Sequence, residues 1–197
     1  MIMSSSFQEY IDLGNSLIQQ EKYVESEAAF RQAISIKSDC AEAYYNLAAS
    51  LFYQGKIEAV ETSYRQAISI KSDFTEAYLN LSVVLTNQGK HQEAETACRQ
   101  IISFNPEYEV AYCRLGIALA GQGKHQEAET AFKRAITIKP DYADAYKQVA
   151  LSFADQGKYD QSYRYAYQLI DMKPGSKEAD IALALTLLAV DLFPFEY

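Results

Sequence analysis

The sequence predicts an all-α solenoid of antiparallel helix pairs, because a segment of 34 residues recurs along the chain. The tripeptide Gln-Gly-Lys, one tyrosine and one proline all return at this interval. The recurring positions are Gln54, Gln88, Gln122 and Gln156; Tyr10, Tyr44, Tyr78, Tyr112 and Tyr146; and Pro106, Pro140 and Pro174. A short repeat cannot bury its apolar face alone, so we expect successive copies to stack against one another.

Division of the chain at this interval gives five units that follow one another without a linker. The predicted organisation is a head at residues 1–6, repeat units at 7–40, 41–74, 75–108, 109–142 and 143–176, and a capping helix with a tail at 177–197.

Each unit is predicted to begin with a helix, and the fourth unit shows the pattern clearly. Its apolar and small residues fall at i, i+3, i+4 and i+7, which is one face of a helix. These residues are Tyr112, Leu115, Gly116 and Leu119. Gly123 then ends the helix, because glycine accepts the left-handed conformation that closes a helix.

A second helix follows in each unit. In the fourth unit, His125 to Ile138 resumes helical spacing through Ala128, Phe132 and Ala135, and Pro140 closes it. Small residues recur where the two helices are expected to cross closely. They are Gly14, Ala48, Ser82, Gly116 and Ala150 in the first helices, and Ala94 and Ala128 in the second.

At these positions the sequence resembles the tetratricopeptide repeat family. The family pattern is an aromatic residue, Leu, Gly, a Tyr-like residue, Ala, a Phe-like residue, Ala and Pro. The fourth unit matches it with Tyr112, Leu115, Gly116, Leu119, Ala128, Phe132, Ala135 and Pro140. The resemblance covers residues 7–176 and implies a right-handed superhelix. It also implies a concave groove, lined by the first helix of each repeat, that holds a peptide or helix of a partner protein.

The departures from the family pattern are local. Serine replaces the proline in the first two units, three units lack the central alanine, and one unit lacks the second aromatic residue. The residues concerned are Ser38 and Ser72; Val60, Ser26 and Ser162; and Cys98. We expect weaker individual turns and an unchanged register.

The charge argues against phosphate-rich partners. Twenty-six acidic residues against eighteen basic residues give a net charge of -8, which does not attract nucleic acid or anionic lipid. An RNA-binding helical repeat would need a basic groove, so that interpretation is disfavoured. The longest apolar run, Ile181 to Val190, has about half of the roughly 20 residues that a membrane-spanning helix needs.

The expected compartment is the cytoplasm. Met1 to Tyr10 lacks the basic and apolar segments of a secretory signal. Three cysteines, Cys40, Cys98 and Cys113, form no CxxC pattern, so neither a disulfide framework nor a zinc site is predicted. No cofactor is expected.

The predicted binding surface is the first-helix face, the side of each first helix opposite its core stripe. With the first residue of each unit counted as one, it comprises the fifth, sixth, ninth and twelfth positions. The candidate residues are Tyr45, Asn46, Phe52, Leu79, Asn80, Val83, Cys113, Arg114, Ile117, Lys147 and Leu151. An apolar floor with a polar rim suits a partner with apolar side chains. The alternative is that these residues only support adjacent first helices against each other.

Two family-level comparisons refine this prediction. Asn46 and Asn80 at equivalent positions resemble part of the asparagine ladder in the repeats of O-linked N-acetylglucosamine transferase, where amides grip a peptide backbone. Repeat domains that bind the C-terminal carboxylate of heat-shock chaperones use a set of Lys, Asn and Arg residues. The Lys and Arg members of that set are missing here, so a chaperone C-terminus is not predicted as the ligand.

The tail is predicted to continue as a helix with two apolar stripes, although a terminal capping helix needs a polar outer face. One stripe, Ile181, Leu185 and Leu188, would prolong the groove floor and is the candidate for self-association into a homo-oligomer or for capture of a partner helix. The alternative is that the last five residues cover the second stripe.

No catalytic constellation is evident in the sequence. His91 and His125 occupy the same repeat position as tyrosine and isoleucine in other units, which indicates turn and packing roles. Two function classes remain. The chain is either a non-catalytic module or scaffold that binds another protein, or a helical-repeat subunit that regulates or recruits substrate for an enzyme, such as a glycosyltransferase, on another chain.

Overall fold

The computed structural model describes residues 3–172 and Gly175, with side chains from Phe7 onward. Within this range the chain forms ten α-helices and no strand, which confirms the predicted fold class. The helices are α1 (Met3–Gln19), α2 (Tyr23–Ile36), α3 (Ala41–Tyr53), α4 (Ile57–Ile70), α5 (Thr75–Asn87), α6 (His91–Phe104), α7 (Glu109–Gly121), α8 (His125–Ile138), α9 (Ala143–Asp155) and α10 (Tyr159–Met172). Odd-numbered helices are the first helices, and even-numbered helices are the second helices.

The chain divides into two compact units between Gln88 and Gly89. Unit 1 contains α1 to α5, and unit 2 contains α6 to α10. In unit 1, α1 packs on α2 and α3 packs on α4; in unit 2, α7 packs on α8 and α9 packs on α10. Each second helix also packs on the next first helix of its unit, so every internal helix is buried on two sides.

Glycine ends each of four first helices, as predicted. Gly55, Gly89, Gly123 and Gly157 have φ angles of 72°, 74°, 75° and 71°. After Gly55, Gly123 and Gly157 the next residue donates its backbone N–H back into the last helical turn, as in the bond of 3.0 Å from Lys56 to the carbonyl of Leu51. This pattern satisfies a carbonyl that the helix itself leaves unpaired.

The first unit of the sequence lacks the Gln-Gly-Lys turn and forms the same turn with a different residue. Glu21 stands 34 residues before Gly55 and has a φ angle of 59°. Its neighbour Lys22 donates its N–H to the carbonyl of Leu17 at 2.9 Å, which reproduces the bond from Lys56. A side chain is unfavourable in this conformation, so the turn is strained at Glu21.

The close crossings predicted from small residues occur at two glycines. A Cβ atom at Gly14 would lie 2.7 Å from the ring of Phe30, and a Cβ at Gly116 would overlap the ring of Phe132. Both rings are almost completely buried. The large phenylalanine ring therefore requires a residue without a side chain opposite it at this crossing. In the last helix pair, both positions are alanine, Ala150 and Ala166, and both are buried in one cluster.

Two serines that depart from the family pattern form the same hydrogen bond. The hydroxyl of Ser26 donates to the carbonyl of Gly14 at 2.9 Å, and that of Ser162 donates to the carbonyl of Ala150 at 2.7 Å. Each bond joins the two helices of one pair. Because both hydroxyls are fully buried and paired, replacing alanine with serine leaves no unsatisfied polar group at these crossings.

The Gln-Gly-Lys motif also joins one helix pair to the next through a contact that we call the clamp. In unit 1, the Gln54 amide donates to the Tyr23 carbonyl at 3.1 Å and to Glu27 Oε2 at 3.0 Å, while Lys56 Nζ pairs with the same Glu27 oxygen at 2.7 Å. Arg31, one turn along α2, pairs with Glu27 Oε1 at 2.9 Å. The clamp thus fixes the end of α3 against α2.

An equivalent clamp forms in unit 2. The carboxylate of Glu95 accepts from Gln122 at 2.8 Å and pairs with Arg99 at 2.8 Å and Lys124 at 3.2 Å. Glu95 is buried although it is charged. Its three partners explain why this burial is tolerated, since buried charges need both pairing and hydrogen bonds.

Candidate protein-binding surface

In unit 1, the predicted residues lie along the first-helix face and remain accessible to different degrees. Phe52 is 48% exposed, and the other five are half-buried. These five are Tyr45, Asn46, Leu79, Asn80 and Val83. The structure therefore brings together two aromatic rings, two aliphatic side chains and two amides on one face of α3 and α5.

Tyr45 has a structural role as well. Its ring centroid lies 5.7 Å from that of Tyr64 on α4 and 5.1 Å from that of Phe74, just before α5. Tyr64 and Phe74 are buried, and burial raises the pKa of Tyr64 to about 12. Tyr45 thus holds neighbouring helices together. For this residue the contacts fit the alternative interpretation of the sequence, in which the face supports adjacent helices.

The two asparagines link adjacent first helices rather than each other. The amide of Asn46 donates to Asn15 Oδ1 at 3.2 Å, and the amide of Asn80 donates to the hydroxyl of Tyr45 at 3.0 Å. These bonds set α1, α3 and α5 side by side. They also hold both amides at the edge of the apolar floor.

In unit 2, the predicted residues differ in accessibility. Arg114, Ile117, Lys147 and Leu151 are half-buried. Ile117 packs against the unit 2 core, and Lys147 Nζ pairs with Asp144 Oδ1 at 3.0 Å. Two of these four side chains therefore have partners within the chain.

Cys113 lies in the core of unit 2 and is 2% exposed. Burial raises the pKa of its thiol to about 12, against a smaller opposing effect of the Arg114 charge. The thiol is a packing group rather than a surface contact, so Cys113 is left out of the proposed surface. Position five points toward the neighbouring helix, and a small side chain there is covered.

The candidate self-association residues Ile181, Leu185 and Leu188 lie outside the described residues. The same is true of the predicted capping helix and tail at 177–197.

The sequence predicted Phe52 as a surface residue but not the aromatic cluster that it forms with Tyr53 and Tyr23 at the end of α3. Tyr53 is 59% exposed, and its ring stacks on Tyr23 with a centroid distance of 4.5 Å. Phe52 meets Tyr53 edge to face at 5.8 Å. The signal available in the sequence was the pair of adjacent aromatic residues immediately before the Gln-Gly-Lys motif.

Unit 2 has a recess of about 400 Å³ on a different surface, lined by residues of α6, α7 and α8. Its two arginines are already engaged: Arg99 pairs with Glu95, and Arg134 pairs with Glu107 at 2.6 Å and lies over the ring of Tyr112. Neither guanidinium is placed to receive a ligand without giving up a partner.

Other functional features are absent from the part of the chain that the structure describes. Residues 3–172 contain no group of three or more His, Cys, Asp or Glu side chains arranged to hold a metal ion. None of the helices in this range is long and apolar enough to cross a membrane.

Comparison with protein families identifies the repeats. Models of the tetratricopeptide repeat match residues 14–55, 41–74, 75–108 and 110–142, which together make up more than half of the chain. Among curated proteins, none matches the chain.

Solved structures share the fold at low sequence identity. A tetratricopeptide repeat protein from Parabacteroides merdae superposes with a TM-score of 0.86 at 20% identity, covering 95% of this chain and 74% of that one. MamA from Desulfovibrio magneticus RS-1 gives 0.80 at 12% identity, covering 87% and 97%. YrrB, described as a repeat protein with an unusual peptide-binding site, gives 0.74 at 19% identity, covering 93% and 98%. At these identities the similarity shows the fold alone.

Proposed function

Because the chain belongs to the tetratricopeptide repeat family, we propose that it is a non-catalytic interaction module whose first-helix face binds a peptide or helix of a partner protein. Proteins of this fold include one described as peptide-binding. The observation that carries the proposal is the surface of unit 1, where exposed Phe52 lies on the same face as Leu79, Val83 and the amides of Asn46 and Asn80.

This combination of groups suits a peptide ligand. An exposed aromatic ring and half-buried aliphatic side chains offer apolar area to a partner's side chains. The two amides carry donor and acceptor atoms that can pair with a peptide backbone. Each is hydrogen-bonded at the edge of the floor, so its position is set before a ligand arrives, which lowers the entropic cost of binding.

The test compares two truncations of exposed apolar residues. Phe52→Ala removes the most exposed side chain of the proposed surface, while Val24→Ala removes one that is 65% exposed on the second helix α2. We expect both variants to fold, because exposed positions change the free energy of unfolding by only about 0.5 kcal/mol. Immobilised wild-type chain and both variants are used for affinity capture from a native lysate, followed by mass spectrometry.

We expect a partner retained by the wild type and by Val24→Ala to be lost or strongly reduced with Phe52→Ala. Circular dichroism melting of all three proteins checks that each is folded. If the three folded proteins capture the same partners in equal amounts, the first-helix face of unit 1 is not the binding surface.

A further inference from the structure

We propose that the first-helix face of unit 1 selects a partner segment that is basic as well as apolar, with lysine or arginine beside aliphatic or aromatic side chains. This inference rests on the proposed function and specifies the chemistry of its ligand. It comes from how the charges of unit 1 are divided between the two kinds of helix.

All basic residues of unit 1 lie outside its first helices. They are Lys22, Arg31, Lys37, Lys56, Arg65 and Lys71, which lie on the second helices or in turns. The first helices carry only acidic charges, at Glu9, Asp12, Glu42 and Glu76. All four acidic residues are exposed. Asp12 occupies the sixth position of its unit, and Glu42 and Glu76 occupy the second, which lies on the same side of the helix as the ninth. The charged residues on the first-helix face of unit 1 are therefore all acidic.

The acidic residues of the two kinds of helix also differ in their partners. Glu27 and Glu61 on the second helices pair with Arg31 at 2.9 Å and Arg65 at 2.9 Å. Among the described residues, Glu42 and Glu76 form no ion pair, although the thiol of Cys40 donates to Glu42 Oε2 at 3.6 Å. The second helices of unit 1 carry arginines that offset part of their acidic charge, whereas the first helices carry no basic residue.

The lysines in the turns that precede α3 and α5 lie over aromatic rings. Lys37 Nζ is 5.6 Å from the ring centroid of Phe7, and Lys71 Nζ is 4.7 Å from that of Phe74. Each lysine is held by a cation–π contact in the turn before a first helix. They reduce the local negative potential at the start of α3 and α5 but add no cation along those helices.

The first-helix face of unit 1 offers a basic side chain two separate attractions, at opposite ends of α3. At the start of the helix, Glu42 attracts a cation over a distance of about 10 Å at about 0.1 M salt. At its end, about 15 Å away along the axis, the exposed ring of Phe52 attracts a cation at short range through its quadrupole. Unit 2 differs, because its first-helix face carries two basic residues. Arg114 and Lys147 stand at the repeat positions that Asn80 and Leu79 occupy in unit 1. The selectivity for basic segments therefore belongs to unit 1.

Glu42 and Glu76 have a second physical role that the test must separate. Each lies in the first turn of its helix, where negative charge is favoured by the helix dipole. Glu25 and Glu58 lie in the first turns of the second helices α2 and α4 and are also exposed. Replacement of either pair by lysine changes the net charge equally and removes the same dipole contribution, so the pairs form a matched control.

The experiment measures binding of three labelled synthetic peptides of equal length by fluorescence anisotropy. All three carry leucine at the same positions, and the remaining positions are lysine, glutamine or glutamate. The proteins are the wild-type chain, Phe52→Ala, the double variant Glu42→Lys/Glu76→Lys and the control Glu25→Lys/Glu58→Lys.

We expect the Leu/Lys peptide to bind the wild type at least about tenfold more tightly than the Leu/Glu peptide. This affinity should fall by a similar factor in Glu42→Lys/Glu76→Lys and in Phe52→Ala, and by less than about threefold in the control. Raising NaCl from about 0.05 M to about 0.5 M should weaken the binding, because the charges involved are exposed.

Three results would overturn the inference, and they separate it from the proposed function. If the Leu/Gln peptide binds as well as the Leu/Lys peptide and both require Phe52, the surface binds peptides without selecting charge. If the control weakens binding as much as the test variant, the attraction comes from the net charge of the whole chain. If Phe52→Ala affects none of the peptides, the proposed surface itself is wrong, and both proposals fail.

Discussion

At the scale of single residues, the chain tolerates departures from its own repeat where the geometry can be met by another side chain. Ser26 and Ser162 replace alanine because each finds a carbonyl acceptor across the helix pair. Glu21 replaces the turn glycine with a cost in backbone strain, since its φ angle of 59° is unfavourable for a residue with a Cβ atom.

Glu21→Gly is therefore expected to stabilise the protein. Relief of strain of about 1 to 2 kcal/mol should exceed the cost of the greater freedom of glycine in the unfolded chain, giving a net gain of about 0.5 to 1 kcal/mol. Urea unfolding followed by circular dichroism measures the gain. Glu21→Ala removes the same charge and keeps the strain, so an equal gain from both variants would contradict this explanation.

At the scale of helices, the clamp couples stability to pH. Burial alone would raise the pKa of the Glu95 carboxyl, but hydrogen bonds from Gln122, Arg99 and Lys124 lower it to about 2. The ordinary value is 4.5, so the folded state holds the ionised form more strongly than the unfolded state does. The resulting stabilisation is complete above about pH 5 and is lost as the pH falls toward about 2.

Glu95→Gln should consequently be less stable than the wild type near neutral pH, and the difference should shrink in acid. We expect a loss of about 1 to 2 kcal/mol at about pH 6, after allowance for the solvent around Arg99 and Lys124, and a smaller loss at about pH 3. Urea midpoints at a series of pH values measure it. Glu127→Gln, at an exposed position on α8, is the control, and a difference from wild type that is constant with pH would contradict the assignment.

The sequence predicts the helices well because the repeat samples each element several times. The ends of the first helices follow from Gly55 and its equivalents, and the close crossing of Gly116 with Phe132 follows from the recurrence of small residues. The accessibility of individual side chains is harder to predict. A helical wheel gives the direction in which each side chain leaves its helix, but the burial of Cys113 depends on how neighbouring residues pack around it.

At the scale of the whole molecule, the three cysteines report on different parts of the chain. All three are free thiols; Cys40 in unit 1 is half-buried, whereas Cys98 and Cys113 in unit 2 are buried. A buried thiol reacts only when the surrounding structure opens. Thiol reactivity therefore distinguishes the surface of unit 1 from the core of unit 2.

Ellman's reagent is expected to label one thiol of the native protein quickly and two slowly. The fast thiol should be Cys40, because it is half-buried whereas the other two are buried in the native state. The fast phase should disappear in Cys40→Ser, and the slow phases should accelerate in urea as unit 2 opens. Rapid labelling of two or three thiols in native conditions would show that the core of unit 2 is open on the timescale of the reaction.

The clamp has a consequence for how such a chain can change in evolution. The clamps of Glu27 and Glu95 use the same glutamate, glutamine and lysine, so a repeat placed beside either joint would meet the same partners. At the joint of α8 and α9, by contrast, Gln156 donates to the carbonyl of Ser152 and Lys158 donates to Gln156. The last described helix departs further, because Tyr163 and Tyr167 stand where glutamate and a basic residue stand on earlier second helices, and their rings stack at 6.3 Å. A helix pair packed against α10 would therefore find no carboxylate at the clamp position, and its glutamine and lysine would need other partners.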